Sequence, residues 1–176
     1  RGDGTAAHFG LADEVDIVVG TFSKSLASIG GFVAGDEVVV HYLKHNSRPL
    51  IFTAALPPAN TAGVLAALEV MIAEPERRER LWENTRRFQE GCRSLGFDIG
   101  PTQTPIVPVL IGTLTNTFAF WRRLFDGGVF TNPVVPPAVP PDQCRLRASL
   151  MATHTADQID SALETFGRLG REMGVI

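Results

Sequence analysis

Residues 20–32 read Gly20-Thr-Phe-Ser-Lys-Ser-Leu-Ala-Ser-Ile-Gly-Gly-Phe32, directly after the β-branched run Val15-Asp-Ile-Val-Val-Gly20. Such a run, ending in glycine, suits a buried strand in a parallel or mixed sheet. A second apolar stretch begins at Phe32 and runs to Ala34, so the order is strand, functional loop, strand. Lys24 has an unusual setting for a surface cation: it lies just past a strand, among Thr21, Ser23, Ser25 and Ser28, and near Gly30-Gly31. Desolvation favours the neutral, nucleophilic form of an amine, which is what a Schiff-base lysine requires. Neighbouring hydroxyls can donate to a phosphate, and glycines let backbone approach a flat ring or a phosphate. These residues point to Lys24 as a Schiff-base former with Thr21 as a phosphate donor. A surface lysine at a strand end is the alternative.

Two other phosphate loops fail on the letters. A Walker A loop needs glycine immediately before the lysine, where Ser23 stands, and Gly20 is too near. Gly2-Asp3-Gly4-Thr5-Ala6-Ala7 matches a relaxed dinucleotide fingerprint but follows no strand, and Arg1-Gly2-Asp3 is a chance tripeptide.

Working outward, Asp36 can cap a helix through Val39, Val40 and Leu43 that stops before Arg48-Pro49, and Leu50 to Thr53 reads as extended. Pro57-Pro58 should open a buried helix over Ala59 to Ala73. After Glu74-Pro75 a helix with one wet face runs from Glu76 to Leu95 and closes at Gly96. There follow strand Ile106–Ile111, helix Asn116–Phe125, strand Val129–Asn132, a proline-rich crossing to Pro141, strand Arg145–Leu150 and helix Ala156–Glu172. This predicts two parts: 1–75, whose elements need a larger sheet to cover, so the chain reads as truncated at its N-terminus, and 76–176, an α+β unit of its own.

The 176 residues suffice for one large domain or parts of two. A net charge of −3 with scattered Lys and Arg gives no basic stripe, which excludes nucleic acid as an expected partner. Apolar runs such as Ile106–Ile111 are too short for a membrane span, and Arg1-Gly2-Asp3-Gly4 has no signal-peptide pattern, so a cytoplasmic protein is expected. Cys92 and Cys144 lie at no metal-ligand spacing and read as reduced filler or surface residues; no metal is expected. His41 and His45, one helical turn apart, read as a solvated helix face, His154 as structural beside a Thr153 or Thr155 cap, and Trp82 and Trp121 as packing residues.

Four segments in order resemble the α-oxoamine synthase family of pyridoxal-phosphate (PLP) enzymes. They are Gly20 to Phe32, Arg48-Pro-Leu-Ile-Phe-Thr-Ala-Ala-Leu-Pro-Pro58, Gly128-Val-Phe-Thr-Asn-Pro-Val-Val-Pro-Pro-Ala-Val-Pro140, and Arg145-Leu-Arg-Ala-Ser-Leu-Met-Ala-Thr-His-Thr155. The resemblance implies an α/β chain of PLP-dependent transferase fold type I, with the end of the large PLP domain over 1–75 and the small domain over 76–176. It implies PLP held by Lys24, which also moves the substrate α-proton, and a phosphate bonded by Thr21. It further implies a homodimer in which Thr53 reaches the partner's phosphate, and Arg147 pairing with the amino-acid carboxylate. Strand alternation puts Arg145 on the same face, so spacing leaves both open. The substrates implied are an amino acid and an acyl-CoA, condensed with loss of CO2. The third and fourth segments suggest serine with a long-chain acyl-CoA, giving 3-ketosphinganine; alanine with a pimeloyl thioester, or glycine C-acetylation, are alternatives within the family. A non-catalytic partner subunit of the same fold is the alternative of another class. The family's ring-stacking histidine and pyridinium-pairing aspartate are expected upstream of the first motif.

Overall fold

The computed structural model describes residues 2–176, and Arg1, with the start of the Arg1-Gly2-Asp3 tripeptide, lies outside the described residues. Contacts divide the chain into two units, Arg1–Pro75 and Glu76–Ile176.

In the first unit, α1 (Thr5–His8) and a 3-10 turn (Ala12–Glu14) precede β1 (Ile17–Thr21) and β2 (Gly31–Gly35), followed by α2 (Glu37–Asn46), α3 (Arg48–Ile51) and α4 (Pro58–Ala73). β1 and β2 pair antiparallel, from Ile17 opposite Gly35 to Thr21 opposite Gly31. Val19, on the strand expected to be buried in a larger sheet, keeps 73% of its surface in solvent in this two-stranded ribbon. A two-stranded ribbon has no second layer to cover its faces. Asp36 takes the N-cap place of α2, but its side chain accepts no capping bond. The stretch expected to be extended, Leu50 to Thr53, is instead the end of α3 and a turn. Pro49 permits this, because its fixed φ and missing N–H are tolerated in a first helical turn. α4 opens at Pro58 as expected, yet only Val64 on it is buried. A helix apolar on every side needs neighbours on every side.

The second unit runs α5 (Glu76–Leu95), β3 (Ile106–Gly112), α6 (Leu114–Asp126), β4 (Asn132–Val134), β5 (Cys144–Ser149) and α7 (Ala156–Glu172). Its strands form an antiparallel sheet in the order β3-β5-β4. β4 lies later than the expected Val129–Asn132 and includes Pro133, which an edge strand tolerates. α6 starts earlier than expected, because the Thr113 hydroxyl accepts from Asn116 N at 3.4 Å. α5 closes at Gly96, whose φ of 99° is the left-handed conformation that ends helices. α7 opens on a capping box: Gln158 N donates to Thr155 Oγ1 at 3.3 Å, and Thr155 N to Gln158 Oε1 at 3.0 Å.

Alternation along the strands sends Val107, Val109, Ile111, Leu146 and Ala148 into one core with Phe88, Phe120, Leu124, Phe166 and Leu169 from the helices. The other face of β5 carries Arg145, Arg147 and Ser149. This sheet is dry on one side and wet on the other. Helix α7 comes so near Phe97 that a Cβ on Gly170 would lie 2.6 Å from Phe97 Cζ, so only glycine fits there. Trp82, read as a packing residue, is 40% exposed although it shares the stripe of α5 that carries the buried Thr85 and Gln89; Trp121 is half-buried and donates its indole N–H to Thr131 O at 3.0 Å. Both cysteines are buried and free, and burial pushes the Cys92 thiol up to about 12, so it stays protonated at neutral pH.

On the surface, Arg87 Nε donates to Asp160 Oδ1 at 2.7 Å, joining α5 to α7. That hydrogen bond, helped by the guanidinium charge, holds the Asp160 carboxyl below its ordinary range. A lowered folded-state value means stabilisation that is present above the unfolded Asp range, about pH 3.9, and is lost as pH falls through the folded value. Asp160→Asn is expected to lower the Tm slightly at about pH 7 and by less at about pH 3, the effect being small because the pair is half exposed. Thermal unfolding of both proteins at the two pH values checks this.

Candidate active site

The lysine loop joins β1 to β2. Lys24 Nζ donates to Ser23 Oγ at 3.2 Å, and Ser23 Oγ lies 2.9 Å from Thr21 Oγ1, which donates in turn to Gly30 O at 3.4 Å. An amine and two hydroxyls are thus gathered on one exposed loop. The desolvation expected of Lys24 is not supplied by the described residues of this unit. The glycines that follow serve the chain itself: Gly30 has φ 89°, and a Cβ on Gly31 would lie 2.4 Å from Gly20 O. Thr53 follows α3, and its hydroxyl donates to Pro49 O. The donor set on the loop fits PLP, since the amine can bond an aldehyde carbon and the hydroxyls can donate to a phosphate.

In the second unit a cleft of about 890 Å³ opens beside the wet face of β5, walled by Thr131, Asn132, Arg147, Ser149 and His154 among others. Both arginines stand on that face, but only Arg147 lines the cleft. Arg145 donates to Gln143 through Nε (3.0 Å to O) and Nη2 (3.2 Å to Oε1), whereas Arg147 Nε reaches Ser149 Oγ at 3.4 Å. The buried Thr131 hydroxyl has no partner among the described residues. His154 Nδ1 accepts from Met151 N at 3.3 Å, and Asn84 Nδ2 donates to the carbonyls of both residues at 2.9 Å, which ties the segment before α7 to α5. On α2, His45 Nδ1 donates to His41 O at 2.9 Å.

The model of the family described as aminotransferase class I and II matches residues 1–166. The chain belongs to that family. It is 54% identical over 172 residues to a serine palmitoyltransferase of Sphingobacterium spiritivorum, covering 98% of this chain and 43% of the relative. It is 43% identical over 175 residues to an 8-amino-7-oxononanoate synthase of Alkaliphilus oremlandii, covering 99% and 44%. A solved SPT structure with PLP superposes with a TM-score of 0.93 at 39% identity, over 99% of this chain and 44% of that one. The chain therefore spans less than half the length of these relatives. Both enzyme names belong to the α-oxoamine synthases that the four motifs resemble, and the mixed α/β architecture is that of the PLP-dependent transferases.

Within this aminotransferase class I and II chain, the motifs singled out Lys24, Thr21, Thr53 and Arg147, but not the groups that hold them. Ser149 beside Arg147 lies within the fourth motif but was not singled out, and Asn60, which bonds Ser28 of the lysine loop, lies outside all four motifs. The tie between Asn60 and Ser28 spans 32 positions and exists only once α4 is in place.

Proposed function

We propose that this chain is part of a PLP-dependent acyltransferase that condenses serine with a long-chain acyl-CoA, releasing CO2 and coenzyme A to give 3-ketosphinganine, as the name serine palmitoyltransferase implies for its relatives. The observation that carries the reading is the linked set of Lys24 amine, Ser23 and Thr21 hydroxyls on one loop. Residues 1–75 are then the end of the large PLP-binding domain and 76–176 the small α+β domain. A cytoplasmic homodimer at the entry to sphingolipid synthesis belongs to the same proposal.

PLP supplies an electron sink for charge that develops at the amino-acid Cα. Lys24 Nζ would hold the cofactor and would serve as the acid–base group for the proton at the amino-acid Cα. Thr21 Oγ1 would turn from Gly30 O to donate to the phosphate, and Thr53 Oγ1 from Pro49 O to the phosphate of the partner subunit. Arg147 pairs its planar fork with the carboxylate, orienting the Cα substituents. Its place on the cleft wall supports it over Arg145, whose guanidinium is taken by Gln143.

The test supplies the full-length protein and PLP with serine and palmitoyl-CoA, and in parallel with alanine and a pimeloyl thioester. Coenzyme A and CO2 are expected from the first pair. Turnover of the second pair alone would favour the 8-amino-7-oxononanoate synthase reading, which the 43% identical relative keeps in view. A non-catalytic partner subunit would turn over neither, and the retained Lys24 argues against it. Arg147→Lys is expected to raise the KM for serine about 10- to 100-fold, the equivalent of one bidentate charge-assisted bond. Arg145→Lys is expected to leave that KM near the wild-type value; the reverse pattern would assign the carboxylate to Arg145.

A further inference from the structure

Asn60 lies outside the four motif segments, yet it grips the lysine loop from the first turn of α4. Within the loop, Phe22 N donates to Gly30 O, Ser28 N to Phe22 O and Ala27 N to Lys24 O, each at 2.9 Å. Lys24 therefore opens a tight turn whose far limb is Ala27–Gly30. The turn places Ala27 at φ 49°, a left-handed conformation that a residue with a Cβ keeps only when its surroundings hold it there. Part of the hold comes from outside the loop. Asn60 Nδ2 donates to Ser28 Oγ at 3.2 Å, and Ser28 Oγ donates to Asn60 O at 3.4 Å. Both side chains are half-buried, which limits competition from water. Leu56, just before α4, packs on the same limb, so close that a Cβ on Gly30 would lie 2.7 Å from its Cδ1. The limb is thereby referenced to a sixteen-residue helix rather than to the loop alone.

We propose that Asn60 is a positioning residue for Lys24. Acting through Ser28, it fixes the Ala27–Gly30 limb and with it the direction of Lys24, so that the amine meets the PLP aldehyde carbon in the right geometry. The amine nitrogen and that carbon then join by a double bond, and the aldehyde oxygen leaves as water with the two amine protons. The inference rests on the reading of Lys24 as the PLP lysine. Misplacing a reacting group by a fraction of its contact distance slows its step even when the group is present.

Two readouts on the full-length protein test it. In the cofactor-free protein, Asn60→Ala is expected to speed hydrogen exchange of a peptide spanning residues 22–30 about fivefold, the loss of one net hydrogen bond, and Ser28→Ala at least as much, since it also removes the bond to the Asn60 carbonyl, while a peptide spanning β5 keeps its wild-type rate. On adding PLP, the rate at which borohydride traps it on Lys24 is expected to fall about fivefold in Asn60→Ala and at least as much in Ser28→Ala, with no fall in the double variant beyond that of Ser28→Ala, because both bonds between the two residues pass through the Ser28 hydroxyl. Asn60→Asp, which can accept from the Ser28 hydroxyl but not donate to it, should fall between. Unchanged exchange of the 22–30 peptide in Asn60→Ala overturns the proposal, and so do losses that multiply in the double variant. Faster exchange everywhere, β5 included, would mark Asn60 as a general stability residue and also overturn it. Wild-type protein that traps no PLP on Lys24 would instead sink the reading of Lys24, and the exchange measurement alone would then decide whether Asn60 holds the loop.

Discussion

Lys24→Ala in the full-length protein is expected to leave no borohydride-trapped PLP and to cost about 10²- to 10⁴-fold in turnover, the usual worth of a positioned acid–base group. The argument is local. Lys24 Nζ is the amine within reach of the hydroxyl pair Ser23 and Thr21, and alanine offers neither a bond to the cofactor nor a group to move the Cα proton. The variant should fold normally, since Lys24 is exposed and its side-chain bond is to the neighbouring serine. Non-covalent PLP binding through Thr21 is expected to survive, visible as absorbance that dialysis removes. Wild-type levels of trapped adduct in Lys24→Ala would show that another amine does the work and would end the assignment.

The second large effect is structural. Phe166 is fully buried, and its ring packs against Phe88, Phe97 and Phe120 at centroid distances of 5.7, 5.8 and 5.9 Å. Three helices and the segment that enters the sheet meet at this ring, so the neighbours cannot collapse together into the space it leaves. Phe166→Ala is expected to destabilise the protein by about 3–5 kcal/mol. The denaturant midpoint of the transition that reports on the Glu76–Ile176 unit should fall while its slope stays the same. A loss below about 1 kcal/mol would mean that the cluster repacks freely, against the dense interior expected of such a core.

Elements whose signals are local were legible in the letters. α7 begins and ends where its pattern predicts, because Thr155 and Gln158 form the capping box from within the sequence itself. β3 and β5 were legible for the same reason: alternation decides which side chains a strand buries, and that rule also placed Arg145 and Arg147 together on the wet face. The failures have a common cause. Leu50–Thr53 has strand-like residues but lies in the reach of a proline that can open a helical turn, and β4 moved past its apolar letters to the positions where β5 offers partners. The exposure of β1 and α4 is what elements that need a larger sheet show without it: hydrophobic letters state what a segment needs to cover, not which neighbours are present to cover it.

By itself, then, the sequence determined the candidate chemistry: a lysine among hydroxyls after a strand, two arginines on one face, and four ordered motifs that assign the family. Only the tertiary structure decided between those arginines' surroundings, engaging Arg145 with Gln143 and setting Arg147 on the cleft wall. It alone brought Asn60 to Ser28 across 32 positions. The physical reason is range. Caps, turns and alternation act over a few residues and are written in the neighbouring letters, whereas a cleft wall or a clasp between loop and helix depends on how distant segments pack.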